Sequence, residues 1–252
     1  MKKILFIIPH PDDEVVGACI LIKNFLTNGK KVLIFFATNG LISKESLWPW
    51  QKRYFRSNFL LRKKEMRKSL KNLGVTQYFF QNIPTRTLKD NINKTYFKIK
   101  KILDSKKIDT IFCPSYEGGH QDHDVSNFIC SRLKPYCNIF EFPEYNYFNQ
   151  RINNNTFIDS SFSQKVIKLN NKQIKFKKRM ISIYRSEKKN LSYVDFEKES
   201  YRPLFDYNYS IPPHKGTLFY RRFSFFSWHP RVDSDNPLEI CNKIANSKIF
   251  KK

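Results

Sequence analysis

Residues 4–14, ILFIIPHPDDE, carry the strongest structural signal in the chain. The first five are apolar and rich in isoleucine, a pattern typical of a strand buried on both faces of a parallel sheet. A proline ends this run, and His10 is then followed by the acids Asp12, Asp13 and Glu14. One imidazole and three carboxylates therefore stand at the carboxyl end of the first predicted strand.

Strands and helices alternate outward from this stretch as far as residue 142. Apolar runs predict further strands at residues 32–37, 77–80, 109–113 and 139–142. Amphipathic or strongly basic segments between them predict helices at residues 14–26, 51–73, 94–103 and 122–133. This alternation predicts βαβ units and hence an α/β fold with a mostly parallel sheet.

Residues 143–252 follow a less regular pattern. They contain an Asn-rich turn at residues 153–155, a predicted helix near residues 164–186 and a pair of prolines at residues 212–213. We find no internal repeat and no clear linker. The predicted organisation is therefore one domain over residues 1–252, with a core at 1–142 and a C-terminal elaboration at 143–252.

Composition excludes several classes of protein. With 24 Phe, 13 Tyr and 40% hydrophobic residues, the chain is globular rather than disordered. Five cysteines without a C-x-x-C pair argue against a disulfide framework and favour a reducing compartment. The apolar run at residues 4–8 is too short for a signal peptide or a membrane span. We therefore expect a soluble, cytoplasmic protein.

The formal net charge is +24, from 46 Lys+Arg against 22 Asp+Glu. Such a field attracts anions, which include nucleic acid, an anionic membrane surface and phosphorylated substrates. Lysine, asparagine and isoleucine also have AT-rich codons, so genome composition explains the charge equally well. The net charge therefore favours anionic partners but does not identify which anion binds.

A second cluster of histidines and acids, GGHQDHD, occupies residues 118–124 after the strand predicted at 109–113. Open parallel sheets bind ligands at the carboxyl ends of their strands, so both clusters are predicted to face one crevice. Helix capping by the acids after His10 is the plain alternative. It explains neither His10 itself nor a second cluster on the same sheet edge.

The two clusters hold the donors that a hydrolytic zinc site requires. Such a site has about three protein ligands and leaves a fourth position for water. His10 and Asp13, three residues apart across a turn, can point the same way, and His123 can complete the set from the other loop. Asp12 projects differently from Asp13 and is the candidate general base for the water. The same ligands also bind Fe²⁺ or Mn²⁺, so the sequence does not identify the metal.

Two further residues of the second cluster are candidates for the chemistry. His120, when protonated, can stabilise an oxyanion or protonate a leaving amine. Asp122 can orient one of the imidazoles.

Residues 9–14 and 120–123 together resemble the PIG-L/LmbE-like family of zinc-dependent N-acetyl sugar deacetylases. The resemblance covers residues 3–135 and includes three further motifs: Thr38-x-Gly40, Arg62-x-x-Glu65 ahead of Leu73-Gly74-Val75, and Pro84-x-Arg86. Beyond it, Tyr184-Arg185-Ser186-Glu187 looks like the family's Y-x-S-Q segment. In one departure, Gly118 stands where some relatives carry a tyrosine that assists the oxyanion, with Tyr116 nearby.

The resemblance implies a Rossmann-like three-layer sandwich that removes acetyl from a GlcNAc-type amino sugar and releases a free amine. It implies Asp12 as general base and His120 as the electrophilic or acid histidine. The implied zinc ligands are His10, Asp13 and His123. Arg62 matches an arginine that contacts the sugar in relatives, and a solvated helix face is the other interpretation of it.

The substrate class is predicted from charge alone. A positive surface favours an anionic carrier, such as a nucleotide sugar or a lipid-phosphate-linked glycan for a cell-surface polysaccharide, and allows peripheral contact with an anionic membrane. A nucleic-acid-binding protein is one alternative, although an acidic crevice disfavours nucleic acid across it. A nucleotide-binding Rossmann protein is another, but no G-x-G-x-x-G follows the first strand. A relative of the fold without turnover is the third.

Three conspicuous features lie outside the two clusters. His214 is interpreted as a loop residue, and residues 228–230, WHP, as core or surface packing rather than a sugar platform. The basic helix at residues 52–71 interleaves Tyr54, Phe55 and Phe59 with lysine and arginine. That mixture suits nucleic acid, but a packed helix needs an apolar stripe in any case.

Overall fold

The computed structural model describes residues 1–250. The strands, in chain order, are β1 (Lys3–Ile8), β2 (Lys31–Phe36), β3 (Gln77–Phe80), β4 (Thr110–Pro114), β5 (Asn138–Phe142), β6 (Tyr145–Asn146), β7 (Asn153–Asn154), β8 (Lys165–Lys168) and β9 (Lys198–Pro203). The α-helices are α1 (Asp13–Val16), α2 (Cys19–Thr27), α3 (Pro49–Lys52), α4 (Phe55–Leu73), α5 (Ile92–Lys106), α6 (Gln121–Ser131), α7 (Asn171–Ile181) and α8 (Pro237–Ala245). Among them, none is long and apolar enough to cross a membrane.

Seven strands form one sheet in the order β3-β2-β1-β4-β5-β9-β8. The first five run parallel, and β9 and β8 add an antiparallel edge. This confirms the predicted α/β fold with a mostly parallel sheet. The chain leaves β1 toward β2 on one side and leaves β4 toward β5 on the other. The neighbouring strands β1 and β4 therefore form the topological switch point, where open α/β sheets bind ligands.

Helices cover both faces of the sheet, which explains why β1 has an unbroken apolar sequence. Leu5 and Ile7 pack toward α5, α6 and α8 in one core layer. Ile4, Phe6 and Ile8 belong to the opposite layer, with α1, α2, α4 and α7. All five side chains are fully buried. The molecule is accordingly a three-layer sandwich.

Two helices predicted as continuous are broken. The helix expected at residues 14–26 is α1 and α2, separated at Gly17. A Cβ atom on Gly17 would lie 2.7 Å from the Phe142 ring and 2.6 Å from the Glu144 side chain, so the backbone is pressed against the segment at the end of β5. The helix expected at residues 51–73 is α3 followed by α4. Neither break disturbs the strand order.

A helix was predicted near residues 164–186, and its predicted beginning is wrong. Residues 165–168 form β8 and pair with β9, which is distant in sequence and therefore invisible to a local pattern. The helix starts only at Asn171, where Asn170 and Gln173 form a capping box. The C-terminal residues thus contribute two strands to the same sheet as the N-terminal core.

A buried ion pair joins this C-terminal edge to α2. The Glu199 carboxylate accepts hydrogen bonds from the backbone N–H groups of Ile20 and Leu21, in the first turn of α2. Lys177 Nζ lies 2.9 Å from the same carboxylate, and both side chains are fully buried. Glu199 therefore caps a helix across nearly 180 residues of sequence.

We expect Glu199→Ala to lower the free energy of unfolding by about 3–5 kcal/mol, because it leaves a buried ammonium group and helix amides without their partner. Glu197→Ala is the matched control, since Glu197 is an exposed acid two residues away. Surface substitutions of that kind change stability by about 0.5 kcal/mol or less. Urea unfolding followed by circular dichroism measures both, and equal losses would contradict this account of the pair.

Candidate active site

The structure brings the two clusters together at the carboxyl edge of the sheet. Residues 9–14 continue from β1, and residues 115–120 continue from β4, the strand beside it. His10, Asp13 and His123 are buried there. Their position at the topological switch point is where the order of strands predicts a ligand site.

Three potential ligand atoms form a compact triangle. Asp13 Oδ2 lies 3.0 Å from His10 Nδ1 and 3.2 Å from His123 Nε2, and the two ring nitrogens are 3.4 Å apart. Ligands about 2.0–2.2 Å from a tetrahedral zinc ion would be roughly 3.3–3.6 Å from one another. Two imidazole nitrogens and a carboxylate oxygen at this spacing fit a divalent ion.

Asp122 holds the His10 ring. Asp122 Oδ2 lies 3.0 Å from His10 Nε2, on the side of the ring away from Asp13. Thr85 Oγ1 and the Arg86 backbone N–H also donate to this carboxylate oxygen. The contact keeps a proton on Nε2, so Nδ1, which faces Asp13, is the nitrogen that would bind a metal after losing its own proton, an arrangement common among metal-binding histidines.

A second possible ligand group consists of His10, His120 and Asp122. It fits an ion less well than the group containing Asp13. The His120 Nδ1 atom accepts the Asp122 backbone N–H, and the Asp122 carboxylate already has several donors. Little of their ligating capacity remains for an ion.

Glu144 was missed by the sequence analysis. Its carboxyl group is fully buried, neither oxygen has a hydrogen-bond partner, and Oε1 lies 3.9 Å from His123 Nδ1. His123 Nδ1 also has no partner. These orphaned atoms stand where a carboxylate would orient a metal-binding imidazole. Its position in the sequence could have indicated it, because Glu144 comes just after β5 in the same way that His10 comes just after β1.

Asp12 has a backbone conformation that L-amino acids rarely adopt, with φ 137°. Its N–H donates to Glu14 Oε2 at 2.9 Å, and the other Glu14 oxygen accepts the hydroxyls of Ser69 and Tyr184. Glu14 is completely buried. It therefore does more than cap a helix, because it ties the strained turn to α4 and to the segment after α7.

Arg62 lies beneath the Asp12 turn and is 3% exposed, so the solvated helix face considered for it was wrong. Nη1 donates to the Pro11 carbonyl at 2.8 Å and to Asp12 Oδ2 at 3.1 Å. Nη2 donates to Glu187. Both terminal nitrogens thus contact the protein, which suits holding Asp12 better than contacting a sugar.

The weak Tyr184–Glu187 match is structurally meaningful. Tyr184 reaches Glu14, Ser186 donates to Glu65, and Glu187 pairs with Arg62. Residues 184–187, just after α7, therefore contact the residues that support the Asp12 turn. Sequence analysis found this motif but assigned it no contacts.

Burial and neighbouring charges shift the pKa values in opposite directions. Burial raises the pKa of Asp12 to about 7, even though Arg62 opposes the shift. Burial lowers the pKa of His10, but the carboxylates of Asp13 and Asp122 outweigh this effect and raise it to about 10. Burial and the nearby His10 hold the pKa of His120 well below its usual value. His120 is therefore neutral at pH 7 in the ion-free protein.

Tyr116 does not replace the tyrosine that is absent at Gly118. Its hydroxyl donates to the Ile211 carbonyl at 2.7 Å and is thereby occupied within the core. Gly118 itself has φ +69°, and a Cβ atom there would lie 2.7 Å from the Leu218 side chain. The Asp124 carboxylate accepts its N–H and fixes the loop before His120.

The remaining sequence candidates lie away from the ligand triangle. The His214 ring packs against Phe148, and its Nδ1 lies 2.8 Å from the Lys215 carbonyl oxygen, consistent with a loop residue. Trp228 is on the surface and 67% exposed. On α4, Phe59 packs near Phe80, while Tyr54, just before the helix, is exposed.

One protein-family model matches this chain. The family model described as PIG-L, GlcNAc-PI de-N-acetylase, matches residues 5–133. No curated protein matches the chain significantly.

Solved structures share the fold at low sequence identity. A deacetylase of teicoplanin biosynthesis is 15% identical, covers 80% of this chain and 97% of its own, and superposes with a TM-score of 0.65. N,N'-diacetylchitobiose deacetylase from Pyrococcus horikoshii is 21% identical over 80% and 83%, with a TM-score of 0.56. A 4-carboxy-2-hydroxymuconate hydratase from Pseudomonas putida is 14% identical over 82% and 98%, with a TM-score of 0.54. The fold alone therefore does not decide the reaction.

We expect about one divalent ion per chain in the purified protein, from the three-ligand triangle. His123→Ala should lose it, because one of three ligands is removed, while Asp12→Asn should keep it. His214→Ala is the matched control, since it removes an imidazole outside the triangle. Metal per chain by mass spectrometry measures all four proteins, and equal metal loss in Asp12→Asn would overturn this division of labour.

Proposed function

This chain belongs to the PIG-L family, and we propose that it is a metal-dependent hydrolase of an N-acetylated amino sugar. The reaction cleaves the acetamide C–N bond with water and gives acetate and a free amine. The observation that carries the proposal is the buried triangle of His10, Asp13 and His123, with the Asp12 carboxylate on the adjacent turn.

The metal and the protein groups have separate tasks in this proposal. A divalent ion bound by His10, Asp13 and His123 would act as a Lewis acid and lower the pKa of water at the site. Asp12 takes a proton from the attacking water. A base with a pKa near the working pH is well matched to that transfer, and burial brings Asp12 into this range.

His120 acts as a hydrogen-bond donor in its neutral form. Its Nδ1 accepts the Asp122 N–H, so the ring proton is on Nε2. That N–H stabilises negative charge as it develops on the acetyl oxygen. In this proposal the proton for the departing nitrogen comes from Asp12, which received one in the first step. The sequence analysis left this acid open between the two residues.

The substrate is proposed to be a GlcNAc-type sugar on an anionic carrier, because the chain carries a net charge of +24. Acetate release measured by NMR on N-acetylglucosamine, its 1-phosphate and its nucleoside-diphosphate derivative tests both parts. We expect turnover of a phosphorylated form, with kcat/KM falling as salt rises. If the neutral sugar is turned over as efficiently as its phosphorylated forms, with no dependence on salt, the proposed anionic carrier is wrong. No acetate from any acetamido sugar by the metal-loaded protein would oppose the deacetylase itself.

We expect Asp12→Asn to lower kcat by about 10²–10⁴, the usual contribution of a general base. The variant should retain its metal, as stated above, so that loss of activity is separated from loss of the ion. Glu45→Gln, at an exposed acid, is the control and should leave kcat unchanged. Full activity in Asp12→Asn would assign the proton transfer to another group.

Arg62 and Glu187 should shift the pH profile in opposite directions. Arg62 lowers the pKa of Asp12, so Arg62→Met raises it and moves the acidic limb of kcat/KM to higher pH. Glu187→Gln removes the carboxylate that shares Arg62, so the pKa of Asp12 falls and the limb moves to lower pH. The pH dependence of kcat/KM measures both, and a shift of the same sign in both variants would contradict the coupling.

A further inference from the structure

Exposed aromatic side chains gather beside the crevice, and the chemistry described above uses none of them. We call this set the aromatic rim, and it comprises Trp48, Trp50, Phe223, Phe225, Phe226 and Trp228. All except Trp48 are strongly exposed, up to 87% for Phe225. Contiguous apolar surface of this kind on a soluble domain usually marks a contact with another molecule.

Two distant segments build the rim. The rings of Trp48 and Trp228 stack with their planes 10° apart and their centroids 6.0 Å apart. Trp50 contacts Trp48 at 4.8 Å between centroids. A 3-10 turn at Ser224–Phe226 presents the phenylalanines next to Trp228. The rim is therefore one surface of the folded protein.

The rim is fixed to the mouth of the crevice. Phe219 N–H donates to the Gly118 carbonyl at 2.9 Å, and the Tyr220 ring lies 6.5 Å from the His120 ring. The Arg86 guanidinium donates to the carbonyls of Pro230, Arg231 and Val232. The segment that carries the exposed phenylalanines is thus anchored at both ends to the loops that form the site.

The two segments that carry the rim are basic, although acids flank them at Glu45 and Asp233. Residues 46–64 and 207–232, which include the rim, contain no Asp or Glu, and they hold six and four Lys or Arg residues. Arg53, Arg56 and Arg231 are exposed. Tryptophan and phenylalanine beside arginine are the residues that proteins place at the headgroup level of a bilayer.

We propose that the aromatic rim docks this protein on the surface of an anionic lipid bilayer. The rings enter the headgroup region, while the neighbouring arginines lie over lipid phosphates. The proposed attachment is peripheral, through side chains of the rim. The crevice mouth then faces the lipid, which would suit a lipid-linked acetamido sugar. Only this last consequence rests on the proposed function.

Two other occupants fit the rim less well. Single-stranded nucleic acid stacks its bases on open aromatic faces, but Trp48 and Trp228 stack on one another. A second copy of this chain in a twofold contact would bring two basic surfaces against each other. An anionic bilayer needs no open face of Trp48 or Trp228, and its charge is opposite to that of the arginines beside the rim.

Vesicle co-sedimentation with the full chain tests the docking directly. The probes are vesicles of phosphatidylcholine alone and vesicles with about 30 mol% phosphatidylglycerol. We expect binding to the anionic vesicles, with a blue shift of tryptophan emission, and much weaker binding to phosphatidylcholine. About 0.5 M NaCl should weaken the binding, because it screens the electrostatic part.

Paired variants assign the surface. Phe225→Ser with Trp228→Ser should weaken binding to anionic vesicles about tenfold or more, since two interfacial rings are lost. Arg53→Glu with Arg56→Glu should do the same, as each basic side chain near an anionic surface contributes about fivefold. Lys31→Glu with Lys101→Glu is the matched control. It changes the net charge equally at exposed lysines outside the rim and should change binding about twofold or less.

Several outcomes would overturn the proposal. Unchanged vesicle binding in the double serine variant would place the contact elsewhere. Absence of vesicle binding, with rim-dependent binding of an oligonucleotide, would make the rim a nucleic-acid surface. Rim-dependent dimerisation in analytical ultracentrifugation, again without vesicle binding, would make it a self-contact. Acetate release from a soluble substrate should persist in the serine variant, so that failure of docking and failure of the proposed hydrolysis are distinguishable.

Discussion

The pairing of β1 with β4 is the constraint on which the site depends. Leu5 lies opposite Ile111 in parallel register, so both strands deliver their following loops to the same edge. That edge carries His10 and Asp13 from one loop and His123 from the start of the helix after the other. A buried apolar strand thus determines where the polar residues meet, because parallel register leaves the two loops no other place.

Buried acid groups then dominate the electrostatics of the site. Asp12, Asp13, Glu14, Asp122 and Glu144 are all buried within it. Burying so many carboxylates is unfavourable unless hydrogen bonds, cations or protons compensate them. Backbone amides and hydroxyls donate to Glu14 and Asp122, and Arg62 donates to Asp12. Asp13 accepts the His10 backbone N–H and lies beside two imidazoles. A divalent ion at Asp13 would complete this compensation.

The outer surface of the protein has a different physical character from its crevice. The crevice is rich in acids, while the chain as a whole carries a net charge of +24 and places the aromatic rim on its surface. Arg86 connects the two regions, because its backbone N–H contacts Asp122 and its guanidinium holds residues 230–232. The proposed binding at the rim and the proposed chemistry in the crevice therefore belong to neighbouring but different loops, and separate substitutions should change them.

The parallel core and the meeting of the two clusters were predictable from the sequence, because both follow from apolar strands and from the loops adjacent to them. It did not reveal β8 or the break at Gly17, since each depends on a partner distant in the chain. Nor did it reveal that Arg62 is buried against Asp12 and Glu187, or that Glu144 stands behind His123. These contacts became visible only in the folded chain, because local patterns encode periodicity, whereas burial and ion pairing depend on residues far apart in sequence.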